Sequence, residues 1–575
     1  MPAAVAVASS PVIEFDGQDL QPALLGRLQE VVVDHHLSLP DTFAVHFSDP
    51  DRSVLRDTGV HVGSTARLSA SGLADAAPVL LLSGEVTAIE AVFDEQGGSL
   101  VVRGYDKSHR LTRGRRTQTY RNMKYSDIAG LVADRNSLQR GTIEDSGAVP
   151  DQVSQANESD WEFLWRLARQ VDFEVRVVED ALDFAPPAQA SGAPGAGDYG
   201  ASDPLQLVMG DDLLLFRSRL SGAGQVSQVQ VRGWDPSQKA AIVGTARAGS
   251  TTASVPDDPA SLAGHFGDAT LVAVHGSPID QRDADRRAGR LAEQVGSTFL
   301  EASGVARGNP HLRAGRPVSV SIVGQPFEGR LAVGHARHSF DPVDGYRTQF
   351  DVTGRQDRSL LGLVANGIAD GAAQRGGGSS RVPGIALGLV DDIADPQNQG
   401  RVRVRLPWLS DDYVGSWARV ALLGAGDRRG AVWLPETGDE VVVAFEHGDI
   451  ERPIVIGGLW NGVDAAPHYD VDQGHLKARS FVSRKGHTIV LRDGDDSSTV
   501  ELNSSDGKLS VVLDETNGEL KVTAGATAKI TISAGGDLAI RAQGQLTLEG
   551  QRGAELSSSA TTKVKGSLLQ LNPPG

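Results

Sequence analysis

The chain has no cysteine. That absence excludes disulfides, thiolate nucleophiles and cysteine-ligated zinc or iron–sulfur sites together, so stability has to come from packing and assembly. It leaves the redox compartment open. No run of 18 apolar residues occurs, and no membrane span is expected. Basic side chains are short in number, 55 against 73 acidic ones for a net charge of −18, which argues against nucleic acid or an anionic membrane as the main partner. The opening MPAAVAVASSPVIEF lacks a basic n-region and a long enough apolar core for a signal peptide, so folding in the cytoplasm is expected. Catalytic signatures are missing as well: there is no HExxH, no P-loop and no GxSxG. What remains is 575 residues at 40% hydrophobic content, enough for three or four domains. With 67 Gly, 27 Pro and only 5% aromatic residues, many turns and short strands are favoured over long helices.

The clearest fold signal runs from Gly384 to Gly462. Short β segments recur at Gly384 to Val390, Arg401 to Leu406, Ser416 to Leu423, Gly430 to Leu434, Glu440 to Glu446 and Pro453 to Leu459, divided by Asp-Pro, Asn-Gln-Gly and His-Gly-Asp turn clusters. Val402, Val404 and Leu406 alternate with Arg401, Arg403 and Arg405, the pattern of a half-buried strand. Glu440 to Glu446 is apolar on both faces and needs cover on two sides. Strands this short and this many suit a small closed barrel of the OB kind. The runs GRVRVRLPW, SWARV, LPETGDEVVVAFEHGD and RPIVIGGLWNG resemble the OB module of VgrG proteins, the spikes of type VI secretion and related contractile injection systems. The LPW, FEHGD and GGLWNG wording is closer to the extracellular, phage-tail-like branch.

Upstream, strands expected at Phe43 to Phe47, Pro78 to Ser83, Val86 to Val92 and Leu100 to Tyr105 alternate with helices. Ser159 to Glu162 reads as a capping box, followed by Leu164, Leu167, Ala168 and Val171 on one stripe with Trp161 and Trp165 beside it. A second helix is expected from Tyr125 to Leu138 with Ile128, Leu131 and Val132 facing a core. The segment Pro186 to Pro204 is too rich in Gly, Pro and Ala to pack and reads as an exposed loop. Strands resume at Val226 to Trp234 and Ala241 to Arg247. A helix capped by Asp280 carries Ala284, Ala288, Leu291, Ala292 and Val295 at helical spacing. Strands then follow at Pro317 to Val323, Arg330 to His338 and Tyr346 to Thr353. The runs GYDKSHRL, YSDIAGLVAD and QANESDWEFLWRLARQVDFEV are similar to the phage baseplate hub or late-control-D family. That resemblance implies a two-barrel module whose trimer adapts a three-fold spike to a six-fold tube.

The tail changes character. Leu509, Leu520, Ile530, Leu538, Leu546, Leu556 and Val564 head short alternating units separated mostly by Gly, Ser, Thr or Ala, the mark of a β-solenoid or β-prism. Units with two or three apolar residues cannot bury a core alone, whereas three chains winding together can. Those seven residues are therefore the expected trimer-core positions. The chain finishes on Leu568, Leu569, Leu571, Asn572, Pro573 and Pro574. An apolar end stopped by proline needs a cover. By resemblance, Leu569, Leu571, Asn572, Pro573 and Pro574 would contact a PAAR-type tip protein.

The expectation is a mainly β, multidomain chain with a few helices. Residues 1–370 form a hub-type β-barrel module, 371–381 a Gly/Ser-rich linker, 382–465 an OB barrel, 466–483 a connector, and 484–575 an intertwined trimeric β-helix or β-prism shaft. The connector has no room for the lysozyme that some phage spikes carry there. Expected partners are two further copies of the chain, a tip protein, a hexameric inner-tube protein, baseplate components and effector cargo; no cofactor, metal or catalytic residue is assigned. The rival readings are a cell-wall-degrading or effector-bearing spike and a trimeric β-solenoid adhesin. Gly424 to Gly430 precedes a strand and reads as a turn, not a dinucleotide loop. His335 and His338 should lie on opposite strand faces, His447 in a hairpin turn, and His35 with His36 apart from any carboxylate cluster. Asp391, Asp392, Asp395, Asp411 and Asp412 read as a solvated loop rim before an ion site.

Overall fold

The structure is a computed structural model describing residues 11–571 except 73–74, 96, 236–237, 275–279, 356–381, 383, 468, 470 and 495. The expected linker at 371–381 therefore lies outside the described residues, as do Asn572, Pro573 and Pro574. The chain divides into two compact units, Met1–Asn461 and Gly462–Gly575.

In the first unit, strands Val12–Phe15, Leu28–His36, Thr42–Ser48, Thr65–Ala70, Val79–Asp94 and Gly97–Asp106 form one half of an eleven-stranded sheet. Alternation explains the curl of this half. Phe43, Val45 and Phe47 point the same way as Val31, Val33, Leu100 and Val102 on the strands paired to them, and all enter one core. The two strands expected between Pro78 and Val92 are one, because a register shift between Val86 and Ala88 bends the strand without ending it. The other half holds Leu213–Leu220, Leu300–Arg307, His335–Asp341 and Gly345–Val352 over a separate core around Phe299, Leu312, Val318 and Phe350. A single antiparallel pairing, Leu28–His36 with His335–Asp341, joins the halves within this sheet. The strand expected over Arg330 to His338 splits into Gly329–Ala332 and His335–Asp341 in different sheets. The amides of Val333 and Gly334 bond in different directions, Val333 N to Arg316 O just before strand Pro317–Ser321 and Gly334 N to Asp351 O in strand Gly345–Val352.

Helix Asp160–Val171 carries the expected capping box. Ser159 Oγ accepts from Glu162 N at 3.2 Å and Glu162 Oε2 accepts from Ser159 N at 2.9 Å. Its Leu164, Leu167 and Ala168 are buried in one core with Ile128 and Val132 of helix Tyr125–Arg135. Leu131 is 42% exposed instead, since Ala129 and Ala133 turn the buried stripe away from it. Helix Gln281–Gly296 starts at the expected cap, with Asp280 Oδ1 accepting from Asp283 N at 2.8 Å. It lies on the sheet Ala240–Arg247, Gln228–Asp235, Thr270–Ala273. Gly244 allows that approach, because a Cβ there would fall 2.2 Å from the Ala284 carbonyl. The loop from Pro186 to Pro204 is largely exposed but anchored. Ser319 and Ser321 hydroxyls donate to Gly195 O and Gly197 O at 2.9 and 2.6 Å, and Ala190 and Ala193 are small enough to be buried.

Strands Ile385–Asp392, Val402–Arg405, Val414–Val420, Pro453–Gly458 and Glu440–Phe445 close into a five-stranded barrel around Val390, Val402, Val404, Val441, Val443, Phe445 and Val455. Gly430 to Leu434 is not one of its strands. The barrel is already closed without it, leaving only the small hairpin Ala425–Gly426 with Arg429–Gly430.

The second unit opens with hairpin Val471–Asp472 and His475–Leu476. An antiparallel sheet then follows in chain order: Ala478–Val482, Thr488–Gly494, Ser497–Asn503, Leu509–Asp514 and Glu519–Ala524. Beyond Ala524, no strand ladder forms among the described residues.

Candidate functional site

The register of the second unit sorts its side chains by chemistry. Phe481, Ile489, Leu502, Val511 and Val522 are successive cross-strand partners, and so are Leu491, Val500, Leu513 and Leu520. Partners and residues two apart share a face, so these nine build one continuous apolar surface. The other face is mixed: Val490 and Val512 alternate there with Ser480, Glu501, Lys521 and the ion pair Arg492 Nε to Glu501 Oε1 at 2.7 Å. Most of the side chains on the apolar face are exposed among the described residues, Leu520 at 68%. An isolated sheet in water does not keep such a surface open. Leu509 and Leu520 thus lie on one face in true strands.

Ile530, Leu538, Leu546, Leu556 and Val564 occupy the strandless stretch that follows. Three of them head apolar pairs two residues apart, Ile530 with Ile532, Leu538 with Ile540 and Leu546 with Leu548, and every member is exposed. Two residues is the strand period. These segments therefore combine strand patterning, open apolar side chains and, among the described residues, backbone groups without a ladder partner, a combination that a second strand would resolve. Leu569 and Leu571 are also exposed.

The barrel leaves a smaller face open. Val441, Val443 and Phe445 are buried inside, whereas Val442 and Ala444 are half-buried outside. Beside them lie Ile385 and Leu387 across one pairing and Ile454 across the other. Ile385 is 64% exposed. Among the described residues the outer side of this strand is only partly covered.

Behind the barrel, a buried polar joint fixes it to the preceding helix and strands. Tyr413 OH donates to Ser154 Oγ at 2.8 Å, Gln152 Nε2 donates to Val414 O at 3.1 Å, and Ser416 Oγ donates to Glu451 Oε2 at 2.9 Å. Arg166 bridges Glu158 in two bonds of 2.9 and 2.7 Å and reaches Ser154 O. Burial pushes the Glu451 carboxyl above its ordinary value even against the Arg166 charge, and its Oε1 is buried without a hydrogen bond. Desolvated networks of this kind hold one geometry, because each member loses its partner if the elements shift.

No group of three or more His, Asp or Glu side chains arranged to hold a metal ion occurs among the described residues. Asp395 is engaged structurally: its carboxylate accepts from Arg401 in two bonds and from the amides of Gln397, Gln399 and Arg401. His447 sits at the barrel hairpin with φ 53°, where the turn residues placed it. His335 and His338 do face opposite ways, half-buried and buried. His35 and His36, however, do not stand apart from carboxylates. Asp41 Oδ2 lies 2.6 Å from His35 Nδ1, and His36 stacks on His335, which itself bridges Asp34 and Asp351.

Residues 386–460 match the family described as the type VI secretion system/phage-baseplate injector OB domain. Residues 76–341 match the Alg8 N-terminal domain. The chain is 37% identical over 75 residues, 12% of its length, to type VI secretion system spike protein VgrG3 of Vibrio cholerae. It is 34% identical over 88 residues, 14% of its length, to spike protein VgrG1a of Pseudomonas aeruginosa. It spans 7% and 14% of the lengths of these two relatives. Its fold is similar to that in the Francisella PdpA-VgrG complex, half-lidded, over 90% of this chain and 88% of that one, with a TM-score of 0.54 at 9% identity.

Proposed function

We propose, from a chain that is VgrG-like in fold and in its OB domain, that three copies assemble into the non-enzymatic spike of a contractile injection system. In this reading residues 1–370 are the hub that seats on a hexameric inner tube and baseplate. Residues 382–465 are the collar, 466–483 a connector, and 484–575 the shaft that sheath contraction drives through a target envelope. The observation that carries the reading is the uncovered apolar face of the tail, followed by strand-patterned segments with no ladder of their own. Three chains wound together cover that face and give each segment two neighbours. The polar joint at Tyr413, Ser154 and Arg166 suits a part that transmits thrust from hub to collar without changing angle. A PAAR-type tip protein on Leu569, Leu571, Asn572, Pro573 and Pro574 completes the point, and effector cargo travels with it.

The absence of native cysteine provides a direct test. Leu538→Cys on the otherwise unchanged chain places one thiol per copy near the shared axis. Mild oxidation then yields a disulfide-linked chain pair on non-reducing gels at every protein concentration. If all chains migrate singly after oxidation, the wound shaft is wrong. In the producing cell, deletion of this chain leaves purified particles without a tube cap and unable to kill or deliver.

A further inference from the structure

Among the described residues, the two halves of the eleven-stranded sheet meet through strands at the pairing of Leu28–His36 with His335–Asp341, and four histidines converge on it. His36 and His335 are direct cross-strand partners with rings stacked at 4.3 Å and 26°. On the opposite face the rings of His35 and His338 meet edge to face at 5.2 Å. His338 is 0% exposed and His35 4%.

The charges around them are already allotted. His335 has Asp351 Oδ2 2.8 Å from Nδ1 and Asp34 Oδ1 3.2 Å from Nε2, while Arg337 lies 3.6 Å from the other oxygen of Asp34. Asp41 faces His35 at 2.6 Å, accepts the amide of His36 at 2.9 Å, and has the buried Asp106 behind it. Tyr346 OH lies 2.9 Å from His338 Nδ1, with Thr348 Oγ1 at 3.3 Å, the Leu312 backbone, which favours the protonated ring, and the Arg313 cation, which opposes it, nearby. A proton added to His36 therefore sets two imidazolium rings face to face. One added to His338 leaves a charge buried near Arg313 without a carboxylate.

We propose that this four-histidine seam is an acid-released latch, closed at neutral pH and opening between the two halves of the hub sheet as pH falls below about 6. Burial, aided by His35 and Arg313, holds His338 well below the usual imidazole range, and burial with the His335 charge lowers His36. His335 runs the other way: despite burial, Asp34 and Asp351 push it up to about 9. The signs follow. His36 and His338 bind fewer protons folded than unfolded, so their contribution is full above about 6.5 and declines as pH drops below it. The His335 contribution is full below about 6.5 and is lost as pH rises through about 9. Asp34 is lowered, burial notwithstanding, by His335 and Arg337, so its share persists until strongly acid pH.

The test is hydrogen–deuterium exchange of the full-length protein at pH 7.5 and 5.5, corrected for intrinsic exchange rates. A histidine kept fully neutral in the fold raises the opening equilibrium on the order of tenfold at pH 5.5. The His335 share still grows about tenfold between these two pH values and offsets one such factor against the two from His36 and His338, so a net severalfold loss of protection, up to about tenfold, is expected in peptides covering Leu28–His36 and His335–Asp341, with the barrel strands unchanged. His36→Gln, at a half-buried position, should shrink the acid response severalfold, and His265→Gln, at an exposed helix end, should leave it intact. His338→Gln gives a second readout wherever it folds. Unchanged seam protection at pH 5.5, the same response in His36→Gln as in wild type, or a uniform loss over the whole chain each overturns the latch.

Discussion

Leu520→Asp tests the tail most sharply. Leu520 sits on the apolar face of Glu519–Ala524 with 68% of its surface open in one chain. Full burial of a leucine side chain is worth ~1.5–3 kcal/mol, so closing the open share contributes about 1–2 kcal/mol per chain. A three-fold assembly counts that three times, about 3–6 kcal/mol per trimer. Three carboxylates facing one axis add a desolvation and repulsion cost of several kcal/mol on top. Together these terms exceed a large part of the ~5–15 kcal/mol that stabilises an ordinary domain. The variant is expected to elute as separate chains in light-scattering chromatography and to lose the tail's melting transition in circular dichroism. The comparison is Lys521→Gln on the mixed face, which should leave both unchanged. If Leu520→Asp keeps the wild-type mass and melts within about 1 kcal/mol of Lys521→Gln, the apolar face is not an interface and the reasoning fails.

Three further outcomes follow from the first unit. Ser159→Ala removes one arm of the capping box and should cost ~1 kcal/mol in urea unfolding of the first unit, with Ser159→Gly costing less. Tyr413→Phe deletes the bond to Ser154 and leaves that hydroxyl buried, which should lower stability by ~1–2 kcal/mol and loosen exchange of the barrel strands. Glu451 is raised, so it binds more protons folded than unfolded; its stabilising share is present below the ordinary carboxylate range and lost as pH rises through its folded value. Glu451→Gln should therefore narrow the fall in melting temperature between pH 5 and pH 8, and a wider fall in the variant would contradict the assignment.

The barrel and the helices were legible because their signals are local. Alternation in Arg401 to Leu406 and the turn clusters around it suffice for a strand and its ends. The cap at Ser159 and the one at Asp280 each use side chains three residues apart. Leu131 misled because a stripe of alanines buries as well as one of leucines, and spacing alone does not choose between neighbouring faces. Gly430 to Leu434 misled because its apolar residues read as a sixth strand, yet a five-stranded barrel has no edge left for one. The histidine seam was not legible. His36 and His335 meet through a pairing between strands about 300 residues apart in sequence, and no local pattern encodes that partner. The nearby Asp41 was the one available signal, a carboxylate placed just past a strand end where it can turn back on His35. In the tail, the leading apolar residues announced an uncovered face. The absence of a ladder after Ala524 is the same fact seen in the backbone.

The central claim is that one chain is an incomplete structure. The solution mass of the full-length protein by sedimentation equilibrium, over a hundredfold concentration range, tests it most directly. Three times the chain mass of 60.5 kDa, unchanged on dilution, is the predicted result, and a single-chain mass of 60.5 kDa with the tail still folded would contradict it.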